Sequence, residues 1–183
     1  MKPFLLILAV VVVGCGKKEE KKAVKAKAAT EVKTTSEEEQ PEEKLITNPV
    51  VEAAIRKELK KPTGELTKAD LEKVTKLDLS CLNFSKLINK KLTEVAQGLE
   101  KLTELERLHL ETNQLTDVNG LEKLTQLTEL DLGYNRLTVV PKGLEKLTQL
   151  TWLSLQGNLD LPNAQIDELK KALPKCDIRS DFD

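Results

Sequence analysis

The chain has 183 residues and a near-even charge balance, 29 basic against 30 acidic side chains, with one His, one Trp, one Tyr and three Cys. That length makes one domain of ordinary size plus flanking segments, and the absence of a basic stripe argues against nucleic acid as a partner. A single His leaves too few convergent ligands for a metal site, so the composition predicts no metal, no cofactor and no catalytic residues.

Lys2 precedes an apolar run from Phe4 to Val13 that stops at Gly14-Cys15. A membrane-spanning helix needs about 20 apolar residues, so residues 1–14 read as a signal peptide. Val12-Val13-Gly14-Cys15 resembles a lipobox, the bacterial motif in which the Cys becomes the lipidated first residue of the mature protein. The resemblance implies lipidation at Cys15, attachment to a membrane through an N-terminal lipid, and a place in the bacterial cell envelope. An ordinary secretory signal with an incidental Cys, or a short uncleaved anchor, is the alternative, and each puts the domain outside the cytoplasm. Residues 15–45 complete this region as the lipidated Cys and a charged linker. Residues 17–44 carry eight Lys, concentrated early, and eight Glu, concentrated late. With almost no large apolar side chain, such a segment cannot offset its ordering entropy and is expected to be a disordered tether. Its Lys-rich start could lie on anionic headgroups, or the whole could be a plain solvated spacer.

Residues 46–75 predict a helical N-terminal cap. Asn48 suits a helix cap and Pro49 the first helical position, while Val51, Ile55 and Leu59 share one face; Pro62 and Gly64 are the expected end. Thr67 and Asp70 have the spacing of a capping box, leading into Leu71 and Val74 as the second arm of a helical hairpin.

Residues 76–161 are repetitive. The segments beginning at Leu105, Leu127 and Leu150 each follow LxxLxLxxN, and their equivalent leucines Leu108, Leu130 and Leu153 are 22 and 23 residues apart. That motif and period identify a leucine-rich repeat. Lys76 to Ser80 reads as an earlier strand of the same series, with Leu82 where later coils have Asn and Phe84 where they have Leu. The 31 residues from Leu77 to Leu108 exceed one coil and predict an inserted loop within Ser85 to Lys91. In each coil the LxL leucines should point inward from a short parallel strand, and Asn113, Asn135 and Asn158 should seal the turn by bonding buried backbone groups. The fold class that follows is an α/β solenoid. It is a right-handed stack of leucine-rich-repeat coils with a parallel concave sheet, a helical N-terminal cap and a C-terminal helix cap.

Residues 162–183 predict that C-terminal cap. Asn163 suits the helix cap, Ile166, Leu169 and Leu173 share a face, and Pro174 terminates the helix; Ile178 then lies in a last short strand. Cys81 and Cys176 fall at opposite ends of the stack. Three coils at about 5 Å each hold their α-carbons beyond the roughly 7 Å a disulfide allows, so both are expected as buried thiols.

With its 22-residue coil at Leu115-Thr-Asp-Val-Asn-Gly-Leu121 and its slightly longer coil at Leu137-Thr-Val-Val-Pro141, the chain resembles internalin-like bacterial surface proteins in a short lipoprotein form. The resemblance implies a curved sheet whose concave face binds a protein or peptide. It does not carry host invasion, because the array is short. On the strand register, Lys76, Arg107, Glu129 and Trp152 form one column of that face and Asp78, His109, Asp131 and Ser154 a second. Further columns run through Ser80, Glu111, Gly133 and Gln156, and through Cys81, Thr112, Tyr134 and Gly157. Aromatics and Arg are enriched in interface hot spots, so the expected contact residues are Arg107, His109, Glu129, Asp131, Tyr134 and Trp152 of a monomer. The alternative is a structural envelope lipoprotein, or a spacer with no specific ligand.

Overall fold

The computed structural model describes residues 44–81, 91–95 and 97–181. The signal peptide, Cys15, the charged linker, Leu82, Phe84 and nearly all of the expected inserted loop lie outside these residues. Among the described residues, no helix is long and apolar enough to cross a membrane.

Helix α1 spans Pro49–Glu58, with Asn48 Oδ1 accepting from the backbone amides of Val50 at 2.9 Å and Val51 at 3.3 Å. Its Val50, Val51, Ala54 and Ile55 are buried and Leu59 packs at the core's edge. The helix closes before Pro62 and Gly64, contrary to the sequence expectation. Lys60 takes the left-handed conformation at φ 53°, and the amides of Lys60 and Lys61 donate back to the carbonyls of Lys57 and Arg56. This paired closure needs no helix breaker. The second arm is a single turn, α2 (Lys68–Leu71), in which the Thr67 and Asp70 side chains each bond the other's backbone amide. Leu71, its last residue, and Val74 just after it are buried in the core.

Five strands follow: β1 (Lys76–Asp78), β2 (Arg107–His109), β3 (Glu129–Asp131), β4 (Trp152–Ser154) and β5 (Asp177–Arg179). They form one parallel sheet in chain order, with Leu77, Leu108, Leu130, Leu153 and Ile178 aligned across it. Each central residue is buried while its strand neighbours reach the other face, as a two-residue period requires. Each buried Leu is worth about 1.5–3 kcal/mol of burial. The columns read from the sequence match this register, and the last strand completes it.

The asparagines tie coil to coil. Asn135 Nδ2 donates to Leu132 O in its own coil and to Leu110 O in the preceding one, each at 3.0 Å, and its Oδ1 accepts from Leu115 N at 3.0 Å. Asn113 and Asn158 repeat the pattern one coil either way. On the opposite side of each coil a short 3-10 turn, Leu99–Lys101, Leu121–Lys123 and Leu144–Lys146, brings the chain back.

Helix α3 (Asn163–Ala172) buries Ile166 and Leu169, and Leu173 ends it before Pro174. Its cap is Pro162, not Asn163: Asn163 is already helical and no side-chain cap bond forms. Gln165 supplies the tie to the coils instead, its Oε1 accepting from Val140 N at 2.8 Å. Cys81 and Cys176 are free thiols, each half-buried where the sequence predicted full burial. Burial, and secondarily Asp177, pushes the Cys176 thiol up to about 11.

Candidate functional site

The solvent face of the sheet is built from the residues on either side of each inward Leu. Strand pairing puts Arg107, Glu129 and Trp152 side by side, with His109 and Asp131 adjacent in the next column. Glu129 is the centre of a small network: His109 Nε2 lies 2.8 Å from its Oε1, and Arg107 Nε lies 3.8 Å from its Oε2. Pairs this exposed contribute little to stability, about 0–1 kcal/mol, but they fix where these three side chains stand.

Asp131 has a structural duty as well. Its Oδ1 accepts from Gly133 N at 2.8 Å, closing the turn out of β3, just as Asp78 Oδ1 accepts from Ser80 N at 3.0 Å after β1. Tyr134 stands at the rim where β3 leaves the sheet. It is 65% exposed and held in the left-handed region at φ 53°. The next coil has Gly157 opposite, where a Cβ would lie 2.6 Å from Tyr134 Cδ1, so the ring seats on the bare glycine backbone. Trp152 is half-buried, and Ser154 is buried. Of the six expected contact residues, then, Arg107, His109 and Glu129 form one connected group. Asp131 is shared with a turn, and Tyr134 and Trp152 supply aromatic surface on the neighbouring coils.

Glu111 was not among those six. Its Oε2 is buried and has no hydrogen-bond partner. Burial pushes its carboxyl above the usual carboxylate range, and the charges of Asp131 and Asp78 add to this, against a bond to its own backbone and the nearby His109. The sequence signal was available: Glu111 is the only charged member of the column Ser80, Glu111, Gly133, Gln156. Beside it, the place a Cβ would occupy at Gly133 is ringed by Asp131 Oδ1 at 3.0 Å, Ser154 Oγ at 3.1 Å and Gln156 O at 3.3 Å.

On the other side of the stack lies an open groove of about 780 Å³ between α3 and the coil loops, floored by Val139, Val140, Pro141 and Leu169. Among the described residues, no group of three or more His, Cys, Asp or Glu side chains is placed to hold a metal ion.

Residues 103–159 match the family model described as Leucine rich repeat. The fold is that of internalin C2 from Listeria monocytogenes, with a TM-score of 0.61 at 23% identity over 76% of this chain and 56% of that one. The domain is a leucine-rich-repeat solenoid, internalin-like in fold. A second Listeria monocytogenes internalin, inlF, superposes with a TM-score of 0.53 at 23% identity over 73% of this chain and 43% of that one. The chain therefore spans only about half the length of these internalins. No curated protein matches it significantly.

The repeats of this solenoid differ in a directional way. The segments from Gly98, Gly120 and Gly143 share Gly-Leu-Glu-Lys-Leu-Thr. Its Gly takes φ near +100°, and its Glu accepts that Gly's amide at 2.7–2.8 Å in every coil. Lys101, Lys123 and Lys146 and the three Thr residues after them have exposed or nearly exposed side chains and are nonetheless identical. On the sheet face the equivalent positions read Arg107, Glu129, Trp152, then His109, Asp131, Ser154, then Glu111, Gly133, Gln156, with no identity at all.

Proposed function

We propose that this protein is a membrane-anchored, extracytoplasmic binding module that holds a protein partner on the strand face of its solenoid. The observation that carries the reading is the contrast between the two faces. Drift would scramble exposed positions on both sides alike, whereas here the Gly-Leu-Glu-Lys-Leu-Thr segment of the turn side recurs unchanged in three coils, its exposed Lys and Thr included, and the strand-face columns differ at every position compared. A stack of interchangeable coils needs no such difference, and a surface fitted to one irregular partner does. The hot-spot residue types Arg, Trp and Tyr stand on that varied face. Chemistry other than binding has little to support it, since the face carries a single His and that His is occupied by Glu129.

Replacing Arg107, Tyr134 and Trp152 together by Ala tests the reading in cells expressing the full chain. After chemical crosslinking and mass spectrometry, the parent is expected to carry a reproducible partner adduct and the triple variant to lose it at equal abundance. Identical adducts from both would leave the solenoid as a spacer in the envelope. The anchor is tested separately. Cys15→Ser should incorporate no fatty-acid analogue and keep residues 1–14, because only the thiol accepts the lipid; equal labelling of variant and parent would end the lipoprotein reading.

A further inference from the structure

We propose that the partner segment seated on the strand face is basic, and that one of its cationic side chains is received at Glu111, between His109 and Asp131. This rests on the strand face being the binding surface, and adds the chemistry of what binds there. Residues 45–183 hold 20 basic and 22 acidic side chains. The outward strand positions together with Glu111 hold five carboxylates, Asp78, Glu111, Glu129, Asp131 and Asp177, against the three cations Lys76, Arg107 and Arg179, so the described residues of this face carry more negative than positive charge. A face with that excess selects a cationic partner and speeds its approach.

The carboxylates are not equivalent. Glu129 is answered by Arg107 and His109, and Asp177 by Arg179 at 2.9 Å. Glu111 Oε2 has nothing. A buried acceptor without a donor is costly, and a charged one more so. Beside it, the place a Cβ would take at Gly133 is surrounded by three oxygens, those of Asp131, Ser154 and the Gln156 carbonyl. An ammonium or guanidinium supplies what this spot lacks: several N–H donors and a positive charge. Trp152, on the adjacent strand, and the glycine-seated ring of Tyr134 provide flat apolar surface for the rest of such a segment, including the stem of a Lys or Arg.

The test selects phage-displayed random dodecapeptides on the immobilised full chain and measures the affinity of the recovered peptides by titration. Lys and Arg are expected to exceed Asp and Glu in the selected peptides by roughly threefold, and Glu111→Gln to weaken a selected peptide by about tenfold, as loss of a charged hydrogen bond implies. Lys146→Ala, on the opposite side, should leave that affinity unchanged. Peptides that depend on Trp152 but are neutral or acidic, or that bind Glu111→Gln as well as the parent, would overturn this inference and leave the strand-face reading standing. If no peptide binding is altered by the Arg107, Tyr134 and Trp152 triple substitution, both fall together.

Discussion

At the scale of single residues, the solenoid depends on polar side chains placed where backbone groups would otherwise be stranded. Asn135 makes bonds to its own coil and to the one before it while nearly buried, whereas its neighbour Arg136 is exposed. Asn135→Ala should therefore cost about 1–3 kcal/mol in denaturant unfolding, and Arg136→Ala less than about 0.5 kcal/mol. Equal midpoints for the two would refute the ladder. Glu111 makes the opposite kind of prediction. Its carboxyl is raised in the folded state, mainly by burial, so the folded protein binds that proton more tightly than the unfolded chain does. The charged form therefore costs stability above the raised value, and the cost vanishes below the ordinary carboxylate range. Glu111→Gln should be more stable than the parent at pH 7, with the gain shrinking to nothing as pH falls below about 4. A gain that persists unchanged at low pH would mean that titration is not its source.

At the scale of elements, closures matter more than helix or strand propensity. Lys60 ends α1 in a conformation that suits glycine, so Lys60→Gly should stabilise the protein by up to about 1 kcal/mol in thermal unfolding. Gly157→Ala should do the reverse, costing about 2 kcal/mol or more, because it adds a Cβ at φ 74° within 2.6 Å of the Tyr134 ring. The strand register, the asparagine ladder, both α1 start signals and the end of α3 at Leu173 before Pro174 were legible because each rests on a local period or a fixed spacing. The left-handed Lys60 was not, since a lysine carries no sign of the turn it makes. Asn163 misled for a related reason: it has the cap residue's chemistry, but the chain enters α3 one residue earlier at Pro162. The contact residues were half legible. Their columns followed from the register, yet which carboxylate is paired depends on how side chains lean across strands, and that placed Glu129 in a network and left Glu111 Oε2 alone.

At the largest scale, chain order and space coincide in the described solenoid: each of its five strands pairs with its neighbours in sequence, so the sheet face is a map of the sequence, one coil per strip. Charged groups occupy the first three strips and the fifth and the Trp the fourth, while the returning turns carry the same Glu and Lys each time. Such an arrangement predicts one-sided binding. The most direct measurement places a photoreactive amino acid in the full chain at position 129 or 152 on the strand face, and at 123 or 146 on the turn face, and irradiates living cells. Adducts of one shared mass at 129 and 152, and none of that mass at 123 and 146, are the predicted result. The same adduct from all four positions, or from the turn positions alone, would contradict the assignment of the strand face as the binding surface.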